Sequence, residues 1–218
     1  MLIPLRPGEL QRLIPAVATG QQFRAALGNP RKILQRLLIA TIGGVITLLI
    51  SQSQLSNRWG SLWLVIGVVL LLYVLWGPIV EAGQKNAVLR RYPSAALFEG
   101  EVVRVVRQER VENQREQANS RGQLELVENR RTWLMLELAD EDGYLGRLSF
   151  PMAKQHDAIR PGLLVRCVVL SDRTDFARLG GLSDAWLPGL RLWVGEYPYL
   201  LRPAFEDLCR LRLRNVSS

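Results

Sequence analysis

From Trp59 to Val80 the chain runs WGSLWLVIGVVLLLYVLWGPIV, 22 residues without one charged side chain. As a helix rising ~1.5 Å per residue, such a run covers about 33 Å, enough to cross a bilayer's hydrocarbon core of about 30 Å. A soluble helix of this length would carry a polar stripe. The run is therefore expected to span a membrane, with Trp59, Trp63 and Trp76 towards its ends, where indole rings favour the headgroup layer. Pro78 falls in its last turn, where a proline breaks little.

A second, earlier run from Leu37 to Ile50 is apolar for only 14 residues, eased by Thr41, Gly43, Gly44 and Thr47. Ile33 and Leu34 extend it upstream, and Arg36 can snorkel to the interface, which lengthens the effective span to about 18–20 residues. Ala40 and Gly44 stand four apart and would let a neighbouring helix approach closely. Only Gln52 to Arg58 separate the runs, so the expectation is an antiparallel transmembrane hairpin over residues 37–81. Arg24, Arg31, Lys32 and Arg36 precede it and Lys85, Arg90 and Arg91 follow it, whereas the turn offers Arg58 alone. By the positive-inside rule both termini face the cytoplasm. Arg31, Lys32, Arg36, Trp59, Trp63, Trp76, Lys85, Arg90 and Arg91 are the expected membrane-interface residues.

The formal net charge of +8 would suggest a nucleic-acid partner if it were spread over the polar parts. It is not: residues 1–36 hold six Lys/Arg against Glu9, while residues 82–218 hold 21 against 18 acids. The excess sits beside the apolar runs, where anionic lipid explains it, and no nucleic-acid partner is expected. Residues 1–36 form a basic lead with four prolines and no signal-peptide pattern. Within it Leu10, Leu13, Ile14 and Val17 have helical spacing, suited either to a membrane surface or to the protein's own second domain. Asn29-Pro30 reads as an N-cap and first helical residue.

After Arg91 the pattern alternates. Leu97–Arg107, Gln123–Leu138, Tyr144–Phe150 and Leu163–Ser171 read as strands, parted by Asn-Ser-Arg-Gly, Asp-Glu-Asp-Gly and Arg-Pro-Gly turns. The expected fold is α+β: the two-helix transmembrane hairpin followed, over residues 95–218, by a small antiparallel β-sheet or barrel of OB-like or SH3-like size. Cys167 alternates in phase with Val165 and Val169 and is expected in the core. Residues 107–131 are almost wholly polar, as a solvated β-hairpin arm or a partner-binding arm would be. Phe205–Arg214 fits a terminal helix with Leu208 and Leu211 inward, or a strand.

No catalytic constellation is present in the sequence. His156 stands in a polar stretch with no Cys or carboxylate at ligand spacing, Gly180-Gly181 reads as a turn, and the two cysteines are far apart. No catalytic residue, cofactor, metal or small-molecule substrate is expected. The aromatics Trp193, Tyr197 and Tyr199, bordered by Pro198 and Pro203 and joined by Arg202, are residue types that dominate binding hot spots. They read either as the second half of the core or as a partner-binding surface.

Arg90-Arg-Tyr-Pro93, the stretch Ser120 to Arg130, Leu192 to Tyr199 and the opening Met1-Leu-Ile-Pro-Leu resemble a family of cyanobacterial membrane proteins often labelled "phosphate ABC transporter permease". The resemblance implies a photosynthetic source and a thylakoid or plasma membrane. Three functions follow as expectations. The first is a non-enzymatic accessory, assembly or scaffold protein of a membrane complex, its β-domain binding a partner on the cytoplasmic face. The second is a transporter-associated subunit, as the label has it. The third is a scaffold similar in plan to NfeD-like proteins.

Overall fold

The computed structural model describes residues 1–28, 30–53, 59–118, 124–176 and 179–214. In chain order its elements are β1 (Leu2–Pro4), α1 (Glu9–Leu13), α2 (Gly20–Leu27), α3 (Pro30–Ser53), α4 (Trp59–Leu71), α5 (Tyr73–Arg90), β2 (Ser94–Ala118), β3 (Leu124–Ala139), β4 (Leu145–Pro151), β5 (Leu164–Ser171), β6 (Leu179–Leu187), β7 (Leu192–Val194) and α6 (Arg202–Arg214). Two compact units result, Ile14–Arg91 and Met1–Leu13 with Tyr92–Ser218. The Asn29 cap, the Gln54–Arg58 turn and the Asn-Ser-Arg-Gly turn lie outside the described residues.

In the helical unit, Thr19 and Gln22 form a capping box that starts α2. Helix α3 is 24 residues long with a mean hydropathy of 2.1 over its most apolar stretch, long and apolar enough to cross a membrane. Small residues line its contact with α4. Ala40 and Gly44 are buried as the spacing predicts, and the bare Gly44 lets Leu71 in: a Cβ there would fall 2.5 Å from Leu71 Cδ2. At Gly67 a Cβ would fall 2.7 Å from Thr47 Oγ1. The Thr47 hydroxyl donates back to the Gly43 and Gly44 carbonyls at 2.8 and 2.9 Å, and the Ser51 hydroxyl donates across to Gly60 O at 2.8 Å. These contacts run in opposite chain directions, so α3 and α4 are antiparallel.

The uninterrupted helix expected over Trp59–Val80 is not what forms. The chain breaks at Leu72, and the pieces Gly60–Leu71 and Tyr73–Arg90 meet at 69°. Pro78 lies well inside α5 rather than in a last turn. It has no N–H for the Val74 carbonyl and restricts the backbone before it. Leu72 takes φ −80° and ψ 3°, and the Trp76 indole N–H, expected at an interface, donates instead to Val69 O at 2.8 Å. An apolar run specifies length and environment, not straightness. A two-span hairpin thus narrows to one helix of spanning length and a bent pair.

The second unit is built on β2, a 25-residue strand. Its first part pairs β5, its remainder pairs β3, and β1 lies beside residues 96–98. The antiparallel sheet has the order β4-β3-β2-β5-β6-β7 and curls into a half-barrel. Alternation fills its inside with Val102, Leu134, Leu136, Leu138, Phe150, Val165, Cys167 and Val169, all buried. Cys167 is a core residue as expected, its thiol pushed up from the ordinary range by burial. Beyond Trp133 the β2–β3 ribbon continues alone as the expected arm, with Arg131 and Arg130 bridging to Glu112 and Glu109.

Three readings of this unit change. His156 is buried in a 3-10 helix, its Nδ1 accepting the Ala153 N–H at 3.1 Å and its ring edge-on to Phe150. A short polar stretch hid a side chain that caps its own turn. Gly180-Gly181 belongs to β6, not to a turn: the space a Gly180 Cβ would need is filled by the Tyr92 ring, whose hydroxyl donates to Gly180 O at 2.8 Å. The terminal segment is helix α6, but Leu211 is 68% exposed and its inward residues are Phe205 and Cys209, four apart.

Gly100 gives a direct check on the packing of β2. A Cβ there would lie 2.3 Å from Ala139 O and 2.5 Å from Phe98 Cζ, and backbone cannot step aside. Gly100→Ala is expected to cost about 1–3 kcal/mol, measured by chemical denaturation of the full chain in detergent. Gly189→Ala, with only Leu163 Cδ2 at 4.0 Å, should stay within about 0.5 kcal/mol of the parent.

Candidate functional site

Two clusters gather the polar side chains that the sequence singled out, one in each unit. In the helical unit the centre is Glu81, the sole acid between Ile14 and Arg91, where eight Lys/Arg stand against it. It is the first charge after the apolar run, and α5 carries it to the start of α3. Arg36 donates to one carboxylate oxygen. Lys32 and Lys85 reach the other at 3.5 and 3.3 Å. Arg36 is 7% exposed and also donates to the carbonyls of Ala26 and Leu27 at 3.1 and 3.4 Å, closing the C-terminal turn of α2. Beside it Gln22 and Asn86, both buried, exchange amide hydrogen bonds at 3.2 and 3.0 Å, and Asn86 donates to Pro15 O at 3.0 Å. Three of the expected interface cations, Lys32, Arg36 and Lys85, are thus one cluster.

The other expected interface residues are dispersed. Arg31 is exposed in the first turn of α3, Arg90 is half-buried in the last turn of α5, and Arg91 is exposed at its C-cap. Trp63 is half-buried on α4, Trp76 closes the break, and the side chain of Trp59 lies outside the described residues. Glu81, Gln22 and Asn86 were missed by the sequence reading. Only the Glu81-to-Lys85 spacing on a helical face gave a signal for the first.

In the β unit, Trp193, Tyr197, Tyr199 and Arg202 do come together. Trp193 meets Trp186 at 5.3 Å and Phe205 at 5.4 Å, and the Arg202 guanidinium lies over its ring at 5.3 Å. Tyr197 and Tyr199 meet edge to face at 4.8 Å. Tyr197 is 6% exposed, whereas Trp193, Tyr199 and Arg202 are half-buried. The loop that carries the tyrosines is held by a residue the sequence reading missed, Asp184. Its Oδ1 accepts the Leu200 N–H at 2.9 Å, and its Oδ2 is buried with no hydrogen-bond partner among the described residues. Gly195 makes room for it, since a Cβ there would stand 2.9 Å from Asp184 Cβ. Ser183 completes the bulged β5–β6 pairing by accepting the Val168 N–H at 2.9 Å and donating to Asp184 O at 2.7 Å.

Burial pushes the Asp184 carboxyl up to about 7, against the pull of the Leu200 N–H and the Arg202 charge. A surface cavity of about 490 Å³ beside Gly100 has acidic walls in Glu99, Glu101, Asp140 and Glu141. No group of three or more metal-ligating side chains occurs among the described residues.

A protein-family model described as "Family of unknown function (DUF8619)" matches residues 3–214. No curated protein and no solved structure matches the chain.

The Asp184 environment has a signed consequence. Its folded value lies above the ordinary 3.8, so the stability that protonation brings is complete below about pH 4 and is lost as pH rises through about 7. Thermal unfolding of the β unit should therefore fall in temperature between pH 5.5 and 8.5. Asp184→Asn keeps the acceptor for Leu200 and should flatten that dependence, read by near-UV circular dichroism of the full chain. His156, held below 6.5 by burial, acts in the opposite sense: its contribution is lost as pH falls through its folded value.

Proposed function

The chain therefore belongs to that family of unknown function, and from its geometry we propose that it is a non-enzymatic, membrane-anchored accessory or scaffold protein that presents its half-barrel to a partner. The observation that carries this reading is the apolar outer surface of α3 and α4. Leu37, Leu38, Ile42, Leu49, Leu64 and Val65 are each about half exposed or more, and water would penalise such a belt by roughly 25 cal/mol per Å². A bilayer removes that penalty. Polar groups inside the belt are bonded internally, as hydrocarbon requires: the hydroxyls of Thr47 and Ser51 take helix carbonyls and the Trp76 indole takes Val69 O.

In this reading α3 crosses the membrane once. The bent pair α4–α5 returns beside it, since Ser51 meets Gly60 at one end and Arg36 meets Glu81 at the other. The basic residues at the Arg36 end put that end, and both chain termini, on the cytoplasmic side. Trp193, Tyr199 and Arg202 form the partner surface, with buried Tyr197 as its support. The partner is a protein of the same membrane, and the cyanobacterial resemblance favours a photosynthetic one.

Two measurements test this. Alkaline carbonate should leave the chain in the membrane pellet, and single cysteines at Asn57 and Ser218, on a background lacking Cys167 and Cys209, should label from opposite sides. Release by carbonate, or labelling from one side only, would overturn the anchor. For the partner surface, Tyr199→Ala with Arg202→Ala should abolish co-purification of a membrane protein while the thermal transition moves by under about 1 kcal/mol equivalent. Tyr197→Ala should cost about 3 kcal/mol of stability.

A further inference from the structure

The helical unit breaks a local electrostatic rule at one place. Helix α3 begins at Pro30 with no acid in its first turn, and the side chains there are Arg31 and Lys32. A helix start carries the positive pole of the backbone dipole and unbonded N–H groups, so acids or bound anions belong there and bases do not. The only carboxylate the unit possesses, Glu81, does not resolve this. Arg36 occupies one of its oxygens, and Lys32 and Lys85 share the other. Three full positive charges against one negative leave an excess of two, with Arg31 exposed nearby. Arg36 is sealed in by α2, but Lys32 is 56% exposed and Lys85 39%. Each ammonium has three protons to donate.

The same place is where the apolar belt ends. Leu34, one turn along α3, is 66% exposed, and Ile79 and Val80, next to Glu81 on α5, are 42% and 46% exposed. A ligand completing this corner needs a negative head for the two ammoniums and a hydrocarbon tail for the leucine and valine beyond them. A free anion meets only the first requirement, and a zwitterionic lipid brings no net charge.

We propose that the Lys32–Lys85 pair, with Arg31 and the first turn of α3, binds the phosphodiester headgroup of an anionic phospholipid. The inference rests on the reading that α3 spans a membrane. Arg36 and Glu81 position the lysines; they do not contact the lipid. The site fixes where the helical unit sits along the bilayer normal and ties its stability to lipid charge.

Native mass spectrometry of the full-length protein, eluted from detergent with equal phosphatidylglycerol and phosphatidylcholine, reads retained lipid directly. The parent should retain phosphatidylglycerol in preference. Lys32→Gln with Lys85→Gln should lose about fivefold of that preference per lysine. Arg12→Gln with Arg24→Gln removes the same charge from exposed positions elsewhere and should lose none. Equal retention of the two lipids by the parent, or an equal loss in both double variants, would overturn the site, because diffuse charge would then suffice. Inorganic phosphate at millimolar concentration should not displace the lipid; displacement would assign the corner to a free anion and also overturn the proposal. A carbonate-resistant chain without lipid preference would sink this site alone, whereas carbonate release would sink the membrane reading beneath it. The Gln variants must show the parent's thermal transition, and Lys32→Arg with Lys85→Arg should restore retention even if they do not.

Discussion

The Arg36–Glu81 pair is the interaction on which the helical unit turns. One guanidinium closes the end of α2, sits in the first third of α3 and holds the only acid of α5. Three helices that share little apolar contact by charge pattern alone are joined at a single nearly buried group. A pair of this kind gains little net free energy over an apolar substitute, but breaking it strands a buried charge, at a cost of about 3–5 kcal/mol. Its value lies in specifying one arrangement. The reciprocal amides of Gln22 and Asn86 do the same without charge, since each amide finds donor and acceptor only in the other and in the Pro15 carbonyl.

Further along the same helices the constraint changes from pairing charges to hiding backbone. A 69° break in an apolar helix frees carbonyls that water would ordinarily solvate. The Trp76 indole answers for one of them, and its ring packs edge-on to Tyr73 at 4.9 Å. The break is therefore a built feature, with its own donor and its own ring contact, rather than a frayed end. Glycines on the facing helix permit it, because Leu70 and Leu71, the residues just before the break, seat against the bare backbone of Gly43 and Gly44.

Much of the β unit could be read from the chain because period-two alternation and turn residues act locally. The strand expected at Leu163–Ser171 is β5, and the turn at Asp140–Gly143 closes with Gly143 at φ 83° and Tyr144 N–H on Asp140 Oδ1. What escaped depends on distant partners. Gly180 resembles a turn glycine until Tyr92, 88 residues away, fills its missing side chain. Leu211 and Cys209 compete for the inner face of α6, and hydrophobicity favours the wrong one, for the leucine ends 68% exposed and the cysteine 3%. The second apolar run was legible as membrane-like but not as bent, since only Pro78 hinted at a break and it acts six residues upstream of its own position. Of the candidate sites, the sequence showed the cations and aromatics; it did not show Glu81 and Asp184, whose importance comes from what converges on them.

Asp184 also bears on how the β unit holds the chain where it leaves for the helices. The Leu200 N–H goes to Asp184 Oδ1, and the next N–H, of Leu201, goes to Leu13 O at 2.7 Å. Arg212 on α6 adds a two-oxygen grip on Glu9 at 2.8 Å. The chain departs at Ile14 directly after this clamp and returns at Tyr92, whose ring is locked over Gly180. Both strands of the connection are thus fixed on the β side by side chains from the second half of the sequence. A proton taken up at Asp184 near neutral pH acts one residue from the first of these anchors, so the group that sets the β unit's pH response is also placed to set how firmly its exit point is held.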